Sequence, residues 1–319
     1  MVPEVKEAPG EGFSRAGRGR ASYKGGIWTG LAERRLKVPG RLDLEATLYS
    51  GQAFRWVRHE AGWHQGFIRN EPVLVQARPG GILAWRGHPR VGSEHVKHYF
   101  RLDESHDAFL AAAPSDPFLQ TALARFPGLR LLRQDPWEIL VSFIVSQNSN
   151  EAKIRRTIEA VCAAAGRPVP VEGSRLHRFP SPRRLAKMTE ADLRATGMGY
   201  RAGYVRAAAL GVARGSLRPA TWIRRPYEDS FDELMGLHGV GEKVADCILL
   251  YGCDQLRAFP SDVWVRRFVQ ETYLPLPRRA TYASIRDFAW RHFGADAGYA
   301  QHYLFHYRRR VGALAASPA

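Results

Sequence analysis

Cysteine is scarce in this chain: its 319 residues hold three, Cys162, Cys247 and Cys253, with no CxxC pair. So odd and scattered a set builds neither a disulfide framework nor a zinc or iron–sulfur site. No metal and no cofactor is therefore expected, and a reducing interior is the natural compartment. Long apolar runs are missing too. No stretch approaches the roughly 18 residues of a membrane span, and the N-terminal residues lack a signal-type apolar segment. The expectation is a cytoplasmic protein with no membrane partner. Acidic residues are outnumbered, 31 Asp+Glu against 47 Lys+Arg, leaving a formal charge of +16. That surplus suits a partner with a dense phosphate backbone, although a charge confined to a tail would produce the same total.

What is present divides into three textures. Residues 1–36 are rich in Gly, Arg, Lys and Glu with little apolar periodicity, and read as a basic, disordered extension. Residues 37–117 carry short segments rich in aromatic and β-branched residues (AFRWVRH, GWHQGFI, PVLVQAR, GILAWRG) between Gly, Pro and Asn breaks, the spacing of antiparallel strands. From about residue 90 the pattern turns helical, and residues 118–319 form the helical domain. Apolar residues recur there at intervals of three and four over 136–147, 151–165, 189–196, 203–213, 230–236, 242–252, 263–272, 281–293 and 297–310. The fold class is thus α+β: an N-terminal antiparallel β-sheet domain followed by a mainly α-helical domain. Residues 214–228 read as the clearest internal linker.

The most informative stretch is LMGLHGVGEKVADCILLYG, a helix-hairpin-helix over residues 231–252. Gly239, Val240 and Gly241 form its turn, and a second helix starts near Glu242. Glycines permit a tight turn and a close backbone approach to an anion, and the free N–H groups of a new helix offer donors to a phosphate. Lys243 stands at that helix start, where the dipole and the apolar neighbours Val244, Ala245 and Ile248 disfavour a positive charge. A nucleophilic amine requires that setting, though a phosphate-pairing lysine would also fit the position. Downstream, FPSDVWVRRF puts Asp262 immediately before a helical run. An Asp there is by default an N-cap, but a carboxylate near a sugar C1′ could also stabilise positive charge developing as a base departs.

With these residues in hand, the chain resembles the helix-hairpin-helix DNA glycosylases, and specifically their 8-oxoguanine branch. The resemblance runs from about residue 40 to 310 over YSGQAFRW, GLRLLRQDPWEILVSFIVSQNSN, GMGYRAGYV, GLHGVGEKVADC with FPSDV, and FGADAGYAQHYLF. It implies a bifunctional enzyme that excises 8-oxoguanine from double-stranded DNA, opposite cytosine, and then cleaves the strand by β-elimination. Lys243 would form the Schiff base and Asp262 would be its carboxylate partner. The base pocket would comprise Gly51, whose carbonyl accepts from the N7–H that guanine lacks, together with Cys247, Gln301 and Phe305. Asn148 would fill the gap left by the flipped base, Tyr200 would be the wedge, Arg201 would contact the orphan cytosine, and Lys153 would stand where the family faces that base with an arginine. A monomer suits this chemistry.

Some positions depart from the family pattern. Lys153 replaces an arginine at the orphan base, and an ammonium cannot reproduce the guanidinium fork. His238 replaces a proline of the hairpin, Ser149 interrupts an asparagine run, and Trp264 stands where eukaryotic members commonly have histidine; together these suggest a divergent, bacterial branch. Three scattered cysteines exclude the four-cysteine iron–sulfur loop of adenine glycosylases and of endonucleases for oxidised pyrimidines. Alkylation-repair glycosylases keep the aspartate without the lysine. The competing reading from another class is a non-enzymatic DNA-binding module that uses the hairpin only to hold phosphates.

Overall fold

An antiparallel sheet of order β1-β5-β4-β3-β2 opens the computed structural model, which describes residues 31–169, 176–274 and 279–311. Its strands are β1 (Arg34–Lys37), β2 (Val57–Arg58), β3 (His64–Ile68), β4 (Glu71–Arg78) and β5 (Ile82–Gly87). Residues 1–30 of the segment read as an extension lie outside the described residues, and β1 occupies that segment's last positions and pairs with β5. The β3–β4 hairpin turns on Arg69 and Asn70, both at positive φ (52° and 59°), the geometry whose twist matches paired strands. AFRWVRH does not form the strand that its composition suggests. Arg155 reaches in and donates to the Ala53, Phe54 and Trp56 carbonyls, leaving only Val57–Arg58 to pair.

The helices are α1 (Leu44–Leu48), α2 (Ser93–Tyr99), α3 (His106–Ala112), α4 (Pro117–Arg125), α5 (Pro136–Ser146), α6 (Glu151–Ala165), α7 (Pro182–Lys187) and α8 (Glu190–Leu193). They continue with α9 (Arg201–Arg214), α10 (Tyr227–Met235), α11 (Glu242–Cys253), α12 (Val263–Tyr273), α13 (Tyr282–Phe293) and α14 (Ala297–Val311). Local chemistry sets several starts. Asp135 accepts from Glu138 N and is followed by Pro136, so α5 begins with a cap and a residue whose missing N–H costs nothing there. Asn150 and Thr281 cap α6 and α13 in the same way. The segment read as an internal linker is instead packed: Trp222 is fully buried, and its carbonyl accepts from the Gln255 amide.

One apolar cluster fills the helical region around α5 and α11, and a second lies on the sheet, gathering Leu48, Trp56, Trp85 and Phe100. Leu132, just ahead of α5, belongs to the sheet cluster and so ties the two regions together. Buried Gln52 joins them as well. Its Nε2 donates to the Thr47 and Arg130 carbonyls while its Oε1 accepts from Leu132 N at 2.8 Å. That anchor fixes the loop carrying Gly51 against the helical body.

Candidate active site

The hairpin consists of α10, the turn through Gly236–Gly241, and α11. Gly239 has φ +85°, and a Cβ there would enter the ring of Tyr204, so both conformation and space demand glycine. Tyr204 also packs against His238, with ring centroids 4.6 Å apart, so the exposed residue standing in place of proline leans on the same ring that fills the space at Gly239. Val240 is buried, and its N–H returns to the Leu237 carbonyl at 3.0 Å. Gly241 is the N-cap of α11, and no side chain caps that helix, which leaves its first-turn donors open to an anion. Gly239→Ala is expected to cost about 2–4 kcal/mol, from positive φ plus overpacking. Urea denaturation should register the loss, and a variant as stable as the parent would show that the turn relaxes.

Lys243 lies in the first turn of α11, half-buried, with its Nζ 5.5 Å from the centroid of the Phe143 ring and acting electrostatically on the Cys247 thiol one turn along. Burial pushes the Cys247 thiol up to about 11 against the opposing effect of Lys243, so the sulfur is neutral at physiological pH. Asp262 is the N-cap of α12, accepting from Val265 N at 2.8 Å, and its charge is felt at the same Cys247 sulfur. Asp262 is therefore a helix cap, and both Lys243 and Asp262 act electrostatically on one buried thiol.

Two side chains that sequence reasoning did not single out tie these two helix starts together. Asp246, three residues after Lys243 and fully buried, accepts from the hydroxyls of Tyr227 (2.6 Å) and Tyr282 (2.5 Å). Burial raises its carboxyl to about 6 even though both tyrosines oppose the shift. The Tyr282 oxygen also accepts from Ser261 N at 3.3 Å, so one phenol bridges the helix of Lys243 to the loop of Asp262. Gln301 holds the same loop, donating from Nε2 to the Pro260 carbonyl at 2.9 Å. Its Oε1 is buried without a partner among the described residues. An orphaned buried acceptor costs about 1–3 kcal/mol, a penalty that a ligand donor would relieve.

Phe305 follows Gln301 by one turn of α14 and lies 3.8 Å from where a Gly51 Cβ would stand; Gly51 itself has φ +91°. Gly51, Cys247, Gln301 and Phe305 thus lie around the Lys243–Asp262 pair or against one another. The second group clusters between α5 and α9. Asn148, at φ +45°, donates to the Tyr200 hydroxyl at 3.1 Å. Tyr200 is exposed although large and aromatic. Gln147 donates to the Gly239 carbonyl at 2.8 Å, joining this loop to the hairpin. Arg201, matched by resemblance to an orphan-base contact, is buried, with its guanidinium donating to the Gln147, Asn148 and Met198 carbonyls. Its donors shape the Asn148 loop from behind. Lys153 sits exposed in the first turn of α6.

Known proteins match the chain along most of its length. The family model for the 8-oxoguanine DNA glycosylase N-terminal domain matches residues 35–140, and that for the HhH-GPD superfamily of base excision DNA repair proteins matches residues 141–292. A probable N-glycosylase/DNA lyase of Methanothermobacter thermautotrophicus is 34% identical over 312 residues, covering 88% of this chain and 97% of the relative. The N-glycosylase/DNA lyase of Saccharomyces cerevisiae is 31% identical, over 83% of this chain and 82% of its own. Among solved structures, the Clostridium acetobutylicum 8-oxoguanine glycosylase/lyase, in complex with double-stranded DNA containing cytosine opposite 8-oxoguanine, superposes with a TM-score of 0.78. It is 30% identical and covers 87% of this chain and 97% of its own. With the two family models abutting at residue 140 and relatives above 30% identity aligned over most of both chains, this chain belongs to the N-glycosylase/DNA lyase family of helix-hairpin-helix base excision repair proteins.

Proposed function

We propose that this chain is a bifunctional DNA glycosylase and abasic-site lyase that removes 8-oxoguanine from duplex DNA. The observation that carries the reading is the tie between the two helix starts: Tyr282 donates to Asp246, three residues after Lys243, and accepts from Ser261 N beside Asp262, and the same loop is held by Gln301, whose buried Oε1 has no partner among the described residues. The Lys243 amine attacks C1′ of the flipped nucleotide, and the C1′–N9 bond breaks as the base leaves with its electron pair and takes up a proton. Asp262 stabilises the positive charge that develops on the sugar. Opening of the sugar ring then gives a protonated imine between Lys243 and C1′, which acidifies the neighbouring C2′ protons. Loss of one expels the 3′ phosphate by β-elimination.

The pocket groups suit a guanine-like base. The free Gln301 oxygen is an acceptor for the donors on the Watson–Crick edge, the Phe305 ring offers a stacking face, and the Gly51 carbonyl would accept the N7–H. Asn148 and Tyr200 would occupy the space the base vacates, offsetting an unstacking cost of a few kcal/mol. The protein works as a monomer in the cytoplasm, on duplexes with cytosine opposite the lesion.

Single-turnover excision from duplexes carrying 8-oxoguanine opposite each of the four bases tests both the substrate and the partner base. Cytosine is expected to give the fastest cleavage, with a spread of about tenfold, near the lower end of what a base contact contributes, because exposed Lys153 brings a point charge without a fork. Equal rates would remove the cytosine preference. Cleavage of none of the four, with incision at other damaged purines, would overturn the substrate.

A further inference from the structure

Arg309 lies eight residues beyond Gln301 and four beyond Phe305, on the same face of α14. Its guanidinium carbon is 5.6 Å from the Phe305 ring centroid, and its Nη1 donates to the Ser50 carbonyl at 3.1 Å. Its Nη2 pairs with Glu151 at 2.5 Å, in the first turn of α6 and next to the Asn148–Asn150 loop. A Cβ on Gly51 would stand 2.6 Å from that same Nη1, so the guanidinium passes directly over the glycine.

We propose that Arg309 is a positioning residue for recognition of the oxidised base: it pins the Ser50–Gly51 peptide and thereby sets the direction of the Gly51 carbonyl. Glycine at φ +91° has little conformational preference of its own, so its carbonyl points reliably only if both flanking peptides are held. On the C-terminal side Gln52 supplies this, through its buried amide and through its carbonyl, which accepts from Gln134 Nε2 at 2.8 Å. On the N-terminal side the bond from Arg309 to the Ser50 carbonyl is the corresponding restraint, and it is charge-assisted. Glu151 in turn holds the guanidinium and is itself held by Arg155 at 2.8 Å. Through this pair the pocket loop is fastened to the start of the helix that follows the gap-filling asparagine.

The inference rests on the proposed excision of 8-oxoguanine and is separable from it by experiment. Arg309→Leu and Arg309→Lys are compared with the unaltered protein for single-turnover release of 8-oxoguanine and for incision of a preformed abasic site, which has no base to read. In Arg309→Leu the ratio of base release to abasic-site incision is expected to fall about ten- to hundredfold, in line with losing one oriented hydrogen bond. The loss should lie in the maximal rate rather than in duplex affinity, and Arg309→Lys should recover most of the ratio. An unchanged ratio in Arg309→Leu, or a parallel loss of both activities, would overturn the positioning role. Failure of the unaltered protein to release 8-oxoguanine would overturn the substrate reading and this proposal with it.

Discussion

Lys243→Gln is expected to abolish the covalent adduct that borohydride traps on duplex DNA containing 8-oxoguanine, and to slow base release by at least about a thousandfold, the scale of losing an essential nucleophile. Glutamine, one atom shorter, keeps an uncharged polar end on the same face of α11, but its amide nitrogen has no lone pair able to form an imine. The fold should survive, because Lys243 is only half-buried and its contact with the Phe143 ring is worth about 1 kcal/mol. The alternative nucleophile in the site is the Cys247 sulfur. At 2% exposure and with burial pushing its thiol up to about 11, it remains protonated and shielded. The thiol therefore cannot substitute for the missing amine. Trapping on a denaturing gel, with melting temperature as the control, checks the assignment. An undiminished adduct in Lys243→Gln would place the nucleophile elsewhere.

The positions of Lys243 and Asp262 were legible in the sequence because each sits at a helix start, and helix starts leave local signals: a glycine turn before one, Pro-Ser before the other. The helical periodicities were legible for the same reason, α5 occupying Pro136–Ser146 where apolar spacing predicts 136–147. What brings the two starts together was not. Asp246 reads as a polar interruption of an apolar helix, and Tyr282 as one of many tyrosines; their pairing at 2.5 Å is a tertiary event without local periodicity. Arg309 was partly legible, since positions 301, 305 and 309 repeat at four-residue intervals, but a cation near a helix C-terminus has an ordinary explanation in the helix dipole. For Arg201 the resemblance gave a match to the orphan-base contact, but no local signal foretold its burial beneath the Asn148 loop with its donors on three backbone carbonyls. The strand expected at AFRWVRH failed because one distant arginine supplies donors that a neighbouring strand would otherwise have given.

Asp262 carries two roles that different substitutions separate. Its carboxylate accepts from Val265 N at 2.8 Å as the cap of α12, and the same charge reaches the neighbourhood of Lys243. Asparagine caps helices about as well as aspartate, so Asp262→Asn should keep the hydrogen bond and leave the melting temperature within about 2 °C of the parent. It removes the charge, however, and base release should fall about a hundred- to a thousandfold, the usual effect of deleting one group that stabilises charge in the transition state. Asp262→Ala removes charge and cap together, and should add a loss of about 1 kcal/mol in stability to the same catalytic defect. Thermal melting and single-turnover excision on both variants, with binding to a duplex holding a reduced abasic site as the affinity control, decide between the roles. If Asp262→Asn excised the base at the parent rate while Asp262→Ala lost only stability, the carboxylate would be a cap and no more. If Asp262→Asn melted with the parent and bound DNA as tightly yet failed to release the base, the charge itself would be the catalytic element, and the cap would be the means by which the fold aims it.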